Sequence, residues 1–299
     1  MNPVTDQAPD FRSQRFLLPK EAFAYAVGPQ SRPTDLIRPA TWSSIMALPD
    51  DVSIRTTNHF GSMLKDLWWC WGEWTALSLA LGAAGERAQS PIVRVAVDSA
   101  DYFQASVFNL LTGFYRLAFT SLRAVIEAMT IGLHFQRSGD RAEFDDWTQG
   151  GEIGFGRAAD KCMAHTARLE AALQASAGDD LFRQRTKDND GGLVRRLFRT
   201  LSHYAHGQPR FTDADIWSSN GPVFVPAAVK TWRDLYLSTY AVALLEARLA
   251  EPALEHLGSG SENTAEELFR LVVGAVPDGM EAKRLLEAVP VDVWHSHYV

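Results

Sequence analysis

Apolar residues recur at three- and four-residue spacings along most of the chain beyond residue 58, and this spacing predicts helices. We expect helices over residues 58–82, 90–111, 114–136, 157–175 and 227–250, and weaker ones over 264–273 and 279–288. Few segments alternate between apolar and polar residues, and no glycine-rich phosphate loop lies between a strand and a helix. We therefore predict an all-α fold.

The first 57 residues contain seven prolines and show no sustained period. We expect them to form an extended, proline-rich N-terminal arm with one short helix near residues 41–48. The predicted organisation is this arm over residues 1–57, a helical bundle over 58–255, and a C-terminal helical extension over 256–299.

The clearest two-sided pattern lies in the helix predicted from residue 193, which Gly207 ends. Its apolar stripe consists of Leu193, Leu197, Leu201 and Tyr204. Its polar stripe consists of Arg195, Arg199, Ser202 and His206. Such a polar face can bind and cleave a phosphodiester, or it can be an ordinary solvated helix surface. The polar, turn-rich residues 178–192 before this helix are expected to form a mobile loop.

A second polar stripe follows the helix predicted over residues 114–136 and consists of Arg116, Thr120, Arg123, Glu127 and His134. Arg123 and Glu127 are four residues apart, a spacing that allows an ion pair on one helix face. Polar groups on an otherwise apolar helix must be paired or hydrated. The stripe is therefore either a structural pair or a polar site inside a helical bundle.

Four tryptophans, Trp68, Trp69, Trp71 and Trp74, lie within seven residues of one predicted helix. We expect most of them to fill a core or a dimer interface. A platform for stacking nucleic-acid bases would need nearby positive charge, and only Lys65 supplies it.

The composition is that of a soluble globular protein, with 46% hydrophobic and 22% charged residues among 299. Cys70 and Cys162 are too few for a disulfide framework, and no signal peptide or uncharged membrane span is visible. We expect a cytoplasmic protein without membrane association. The net charge is −7, but residues 181–210 carry seven basic and two acidic side chains, which favours a local anion site on an acidic body.

Two segments resemble uncharacterised bacterial proteins of the HEPN-like helical class. Residues 109–127 are similar to a helix, a glycine break and a second helix that ends in Arg-x-x-x-Glu, and Leu201–Gly207 is similar to the end of a later helix. The resemblance covers residues 93–250 and implies a HEPN-like helical bundle that dimerises. Active members of this class are metal-independent ribonucleases with an arginine and a histidine separated by four to six residues.

In this sequence the HEPN motif corresponds to Arg199 and His206, and Arg196 and His203 match the same spacing. Such motifs commonly have a polar residue after the arginine, which Thr200 provides and Leu197 does not. The resemblance therefore implies Arg199 and His206 as catalytic residues of an endoribonuclease, either a toxin or a defence effector, without a metal or another cofactor. The supporting residues would be His203, Arg123, Glu127 and Ser202, and the phosphate-binding residues Arg195 and Arg196.

The helical spacing adds a condition to this hypothesis. Seven residues rotate an α-helix by about 700° and advance it by about 10 Å. Arg199 and His206 therefore lie on the same face of the helix but are too far apart to contact the same phosphate. A homodimer whose two-fold axis lies near the helix ends would bring two such pairs together around an RNA strand.

Three alternatives remain open. The protein could be a non-catalytic module that binds a protein partner through the arm or the tryptophan-rich helix, or that binds a small nucleotide or anion. His203 and His206 could bind a metal together with Glu127, and His134 could be a further ligand. His206 could also serve only to stabilise the carboxyl end of its helix, where a cation is favourable by about 0.3–1 kcal/mol.

Overall fold

The computed structural model describes residues 38–82, 90–206, 222–252, 254 and 264–295, so the predicted arm over residues 1–37 and Gly207 lie outside it. Within these ranges the protein is all-α, as predicted. The helices are α1 (Pro39–Gly82), α2 (Pro91–Leu111), α3 (Tyr115–Ser138), α4 (Arg141–Thr148), α5 (Phe155–His165), α6 (Ala167–Ala177), α7 (Leu193–Ala205), α8 (Pro226–Ala250), α9 (Ala265–Ala275), α10 (Glu281–Glu287) and α11 (Asp292–His295).

Helix α3 is the centre of the fold and packs against α2, α5, α7 and α8. Its apolar residues follow the three-to-four spacing of the sequence, and Leu122, Val125, Ile126 and Met129 have no exposed surface. The candidate helix α7 is therefore positioned by direct packing on the most central element.

The turn between α2 and α3 is built on Gly113, which has a φ of +80°. A Cβ atom at this position would lie 2.9 Å from the backbone nitrogen of Val223, so the close approach of residues 222–225 also requires glycine. The backbone N–H of Val225 donates to the Tyr115 hydroxyl at 2.9 Å. The predicted glycine break thus lets the chain pass directly over the start of α3.

Helix α8 is buried over its whole second half, from Leu235 to Ala250. Helices α9, α10 and α11 cover part of it, and the Arg248 guanidinium donates to the Trp294 carbonyl at 2.9 Å. The residues that were expected to form a C-terminal extension therefore share one core with the bundle.

The short helix predicted near residues 41–48 is part of α1, and the structure corrects the expectation of an extended arm for the rest of residues 39–57, which also belong to this helix. Pro39 is the first residue of this helix, where its missing N–H is not needed. Pro49 lies inside the helix, and the packing of the buried Val52 and Thr56 outweighs the unfavourable proline. The helix is interrupted later, at Phe60, whose φ of −130° and ψ of 17° are not helical.

Two of the four clustered tryptophans pack inward. Trp74 is fully buried and donates to the Ala96 carbonyl at 2.9 Å, and the partly buried Trp71 donates to the Ala100 carbonyl at 3.1 Å. Trp68 and Trp69 remain 51% and 39% exposed. The prediction of core tryptophans is confirmed for the inward pair, and a dimer interface formed by Trp68 and Trp69 stays a prediction.

Candidate functional site

The apolar stripe of α7 fixes which side of this helix faces solvent. Leu193, Leu197 and Leu201 are buried as predicted. Phe198 stacks on Phe155 with ring centroids 3.9 Å apart. Tyr204 stacks on Phe119 of α3 at 4.7 Å, and burial raises the pKa of its hydroxyl. These contacts place the opposite face of α7, with Arg199 and His206, toward solvent.

The segment before α7, residues 178–192, for which the sequence predicted a mobile loop, is anchored at both ends. Leu181 and Phe182 are buried, and their backbone N–H groups donate to the Glu170 carboxylate at 2.8 and 3.0 Å. Burial raises the pKa of Glu170 to about 7, although these two hydrogen bonds act to lower it. Gly192 lies so close to the Leu181 carbonyl that a Cβ atom would overlap it. These contacts therefore fix the position of the start of α7.

Arg195, predicted to bind phosphate, instead forms hydrogen bonds and an ion pair within the protein. Its Nε donates to the Phe182 carbonyl at 2.7 Å, and its guanidinium also contacts the Gly156 carbonyl and the Asp160 carboxylate. Only 15% of the side chain is exposed. This arginine joins α5, the anchored segment and α7.

Arg196, the other predicted phosphate ligand, is also paired internally. Its two terminal nitrogens contact the two oxygens of Asp179 at 3.1 and 2.6 Å, and one of them also donates to the Gly191 carbonyl. Its Nε lies 3.2 Å from a Glu281 oxygen of α10. Breaking a largely buried pair such as Arg196 with Asp179 costs about 3–5 kcal/mol, so Arg196 is not readily released to bind a ligand.

Arg199 differs from its two neighbours in exposure. Its guanidinium donates to the Asp190 carbonyl at 3.1 Å and lies 3.4 Å from the Asp190 carboxylate, which is 70% exposed. Surface ion pairs contribute about 0–1 kcal/mol, so another anion can replace Asp190. Arg199 is therefore the α7 arginine best placed to bind a phosphate.

The supporting residues Arg123, Glu127 and Ser202 lie together where α3 meets α7. Arg123 donates through Nε to the Ser202 hydroxyl at 3.1 Å, and its guanidinium lies 3.2 Å from a Glu127 oxygen. The same guanidinium stacks over Phe198, 4.5 Å from the ring centroid. The expected contact between Arg123 and Glu127 is confirmed, and the cluster ties α7 to α3.

The two motif histidines lie at the carboxyl end of α7. His206 is exposed, and its backbone N–H donates to the Ser202 carbonyl at 2.9 Å. His203 is partly buried one turn earlier. Arg199 lies within α7 and His206 caps its carboxyl end, and seven residues of ideal helix span about 10 Å along the axis. A single α7 thus presents an arginine and an imidazole at two separate points.

The alternative metal site does not assemble around His203 and His206 in the described part of the chain. No group of three or more histidine, cysteine, aspartate or glutamate side chains is arranged there to hold a metal ion. His134 is buried elsewhere on α3, 3.8 Å from Glu143 and stacked with His165 at 6.1 Å. Burial lowers the pKa of both of these histidines.

The acidic partners of the basic segment could not be recognised from the sequence of the segment itself. Asp160 and Asp179 lie 35 and 17 positions from the arginines they bind. Both acids lie outside residues 181–210, Asp160 on α5 and Asp179 in the loop after α6, so the net charge of that range does not include them. The local positive charge is consequently smaller in the folded protein than along the chain.

Comparison of the chain with models of known protein families, with curated proteins and with solved structures gives no significant match. No helix in the described ranges combines the length and the hydropathy needed to cross a membrane. The α3–α7 surface is therefore the feature of the described residues that bears on function.

Proposed function

We propose that the surface formed by α3 and the exposed side of α7 binds RNA, and that a homodimer of this chain cleaves it as a HEPN-like, metal-independent endoribonuclease. With this activity the protein would act as a toxin or a defence effector. The observation that carries the proposal is the different use of the α7 side chains. Arg195 and Arg196 are held by internal carboxylates, whereas Arg199 and His206 face solvent at the two points of the motif.

The proposed reaction needs a base and an acid on opposite sides of one phosphate. A His206 imidazole takes the proton of the ribose 2′-hydroxyl, and the 2′-oxygen attacks phosphorus. The bond to the 5′-oxygen breaks as His206 of the partner subunit protonates it, leaving a 2′,3′-cyclic phosphate and a free 5′-hydroxyl. Acid–base help of this kind accelerates a reaction by about 10²–10⁴-fold.

Arg199 would replace its contact with Asp190 by one with the phosphate and stabilise the charge that develops on it. The Arg123–Ser202 contact would act by position, because it holds the histidine-bearing end of α7 against α3. His203 lies on the same turn as Ser202 and completes the polar surface. The 10 Å separation within one helix makes the dimer a requirement of this proposal.

The test is cleavage of labelled RNA by the purified protein in excess EDTA. We expect His206→Ala and Arg199→Ala each to lower the rate at least about 100-fold, since both remove direct contacts to the reacting phosphate. Matched controls are His59→Ala and Arg185→Ala, which remove an exposed histidine and an arginine that also neighbours Asp190. Light scattering should show a dimer in every variant.

Two results would contradict the proposal. One is RNA cleavage that persists in the Arg199→Ala, His206→Ala double variant. The other is a folded, dimeric wild-type protein that cuts none of a panel of single-stranded, hairpin and transfer RNAs and is harmless when expressed.

The second candidate function is the non-catalytic binding of a protein partner, and the exposed tryptophans favour it. Trp68 packs against Trp71 with ring centroids 4.5 Å apart, and together with Trp69 it forms an accessible aromatic surface on α1. Such side chains dominate the binding energy of protein interfaces. A complex that survives Arg199→Ala with His206→Ala, but is lost in Trp68→Ser with Trp69→Ser, would select this function. Leu79→Ser, which removes an exposed apolar residue of the same helix, is the control.

A further inference from the structure

A cavity of about 470 Å³ opens beside the interruption of α1 at Phe60 and extends to α8 and to the end of α9. This volume falls in the range of about 300–1,000 Å³ that is usual for small-molecule sites. Its lining includes no residue of α7. The cavity is therefore independent of the proposed nuclease surface.

Apolar side chains from both long helices form part of the cavity lining. Phe60, Met63 and Leu67 belong to α1, and Leu237 belongs to α8. Leu67 and Leu237 are buried at the base, whereas Phe60 and Met63 are partly buried. A ligand that fits here must place an apolar body between the two helices.

Four charged groups also line the cavity, two of each sign. Arg233 and Asp234 neutralise each other, with an Arg233 nitrogen 3.3 Å from the Asp234 carboxylate and a second donating to the Ala275 carbonyl at 3.3 Å. Two charges are left on opposite walls: Asp66 on α1 and Lys230 on α8. Both are exposed, and neither makes an ion pair or a side-chain hydrogen bond within the described residues.

We infer that this cavity binds a small zwitterion with an apolar side chain, an amino acid or a short peptide. Its carboxylate would contact Lys230, its ammonium group would contact Asp66, and its apolar side chain would cover Leu67 and Leu237. A dianion would meet the two carboxylates of the lining, and a neutral apolar molecule would leave both opposing charges without a partner.

The test is isothermal titration calorimetry of the full chain with L-phenylalanine, L-leucine and leucyl-phenylalanine. Two singly charged analogues of phenylalanine, 3-phenylpropionate and phenethylamine, measure the contribution of each charge. We expect at least one zwitterion to bind about tenfold more tightly than the singly charged molecules, which corresponds to about 1.4 kcal/mol.

Variants of the lining show whether binding takes place in this cavity. Lys230→Met and Asp66→Asn should each weaken the zwitterion about tenfold, and Ser62→Trp, which fills the opening, should abolish binding. Lys65→Met and Asp101→Asn remove exposed charges outside the cavity and should change affinity less than about twofold. All substituted positions are exposed, so these variants should keep the fold.

The proposal is overturned if no zwitterion binds, if a singly charged analogue binds as tightly, or if affinity is the same in Lys230→Met and Ser62→Trp as in Lys65→Met. Each of these results can be obtained whether or not the protein cleaves RNA.

Discussion

The Nε of Arg123 donates a hydrogen bond to the hydroxyl of Ser202, 3.1 Å away and 79 positions later in the sequence. Ser202 in turn donates to the Phe198 carbonyl at 2.8 Å, and the Arg123 guanidinium covers the Phe198 ring. One arginine therefore contacts a backbone-bound hydroxyl and an aromatic ring on α7 while it pairs with Glu127 on its own helix.

Replacing Arg123 by methionine should lower the free energy of unfolding by about 1–3 kcal/mol, because this residue makes charge-assisted contacts at a half-buried position. Ser202→Ala should cost about 0.5–1.5 kcal/mol, and the double variant should show a coupling of similar size. Urea denaturation measures these differences. Arg116→Met, at an exposed position of α3, should stay within about 0.5 kcal/mol of wild type. Equal effects of Arg123→Met and Arg116→Met would contradict the assigned role.

Arg196 and Arg199 should differ sharply in their contribution to stability. Arg196→Leu leaves the Asp179 carboxylate, 17% exposed, without its partner and should destabilise the fold by about 3–5 kcal/mol. Arg199→Leu removes only a surface pair and should cost less than about 1 kcal/mol. Changing Asp179 to leucine together with Arg196→Leu should recover much of the loss. Thermal unfolding of the wild type, the two single variants and the double variant measures these differences in stability. Similar melting temperatures for Arg196→Leu and Arg199→Leu would refute the prediction.

Stability should fall between pH 5 and pH 8 because of Glu246. Burial raises the pKa of this carboxyl to about 8, and the Thr130 hydroxyl donates to it at 2.8 Å. A group that binds its proton more tightly in the folded state stabilises the fold below its unfolded pKa, and this contribution disappears as pH rises through about 8. Release of one proton changes the free energy of unfolding by at most about 1.4 kcal/mol per pH unit.

Glu246→Gln keeps a hydrogen-bond acceptor for Thr130 but cannot titrate, so its stability should decline less between pH 5 and pH 8. Guanidinium denaturation at several pH values measures the slope, and the exposed Glu152→Gln is the control. Parallel curves for wild type and Glu246→Gln would show that the carboxyl does not titrate in this range.

Two glycine-to-alanine substitutions should have opposite signs. At Gly113 the φ of +80° and the Val223 backbone nitrogen 2.9 Å from the new Cβ should make the change destabilising by about 1–3 kcal/mol. Gly274 lies inside α9 with nothing within 4 Å of a new Cβ, so alanine should stabilise the fold by about 0.5–1 kcal/mol. Melting temperatures report both signs. A neutral Gly113→Ala variant would mean that residues 222–225 can move away from the turn.

Features set by short sequence spacing could be predicted from the sequence. The break at Gly113, the apolar stripe of α7 and the pair of Arg123 with Glu127 depend on neighbours within a few positions. The continuation of α1 through residues 39–57 could not be predicted, because the unfavourable Pro49 is outweighed by packing of Val52 on the distant α2–α3 turn.

The candidate site likewise depends on contacts between residues that are distant in the sequence. The sequence predicted Arg199 as a catalytic residue and Arg195 and Arg196 as phosphate ligands, and only the folded chain shows that Asp160 and Asp179 pair with the latter two. The cavity beside Phe60 depends on a local interruption of α1 and on residues of α8 and α9, so no single stretch of sequence contains its pattern.

The burial of α8 has a consequence for synthesis of the protein. Arg248 on α8 and the Trp294 carbonyl to which it donates are 46 positions apart. At about 5–20 residues per second, a ribosome needs roughly 2–9 s to add the covering helices after it has made α8. During each round of translation, the side of α8 that α9 and α11 later cover is thus open for seconds to chaperones or to incorrect contacts.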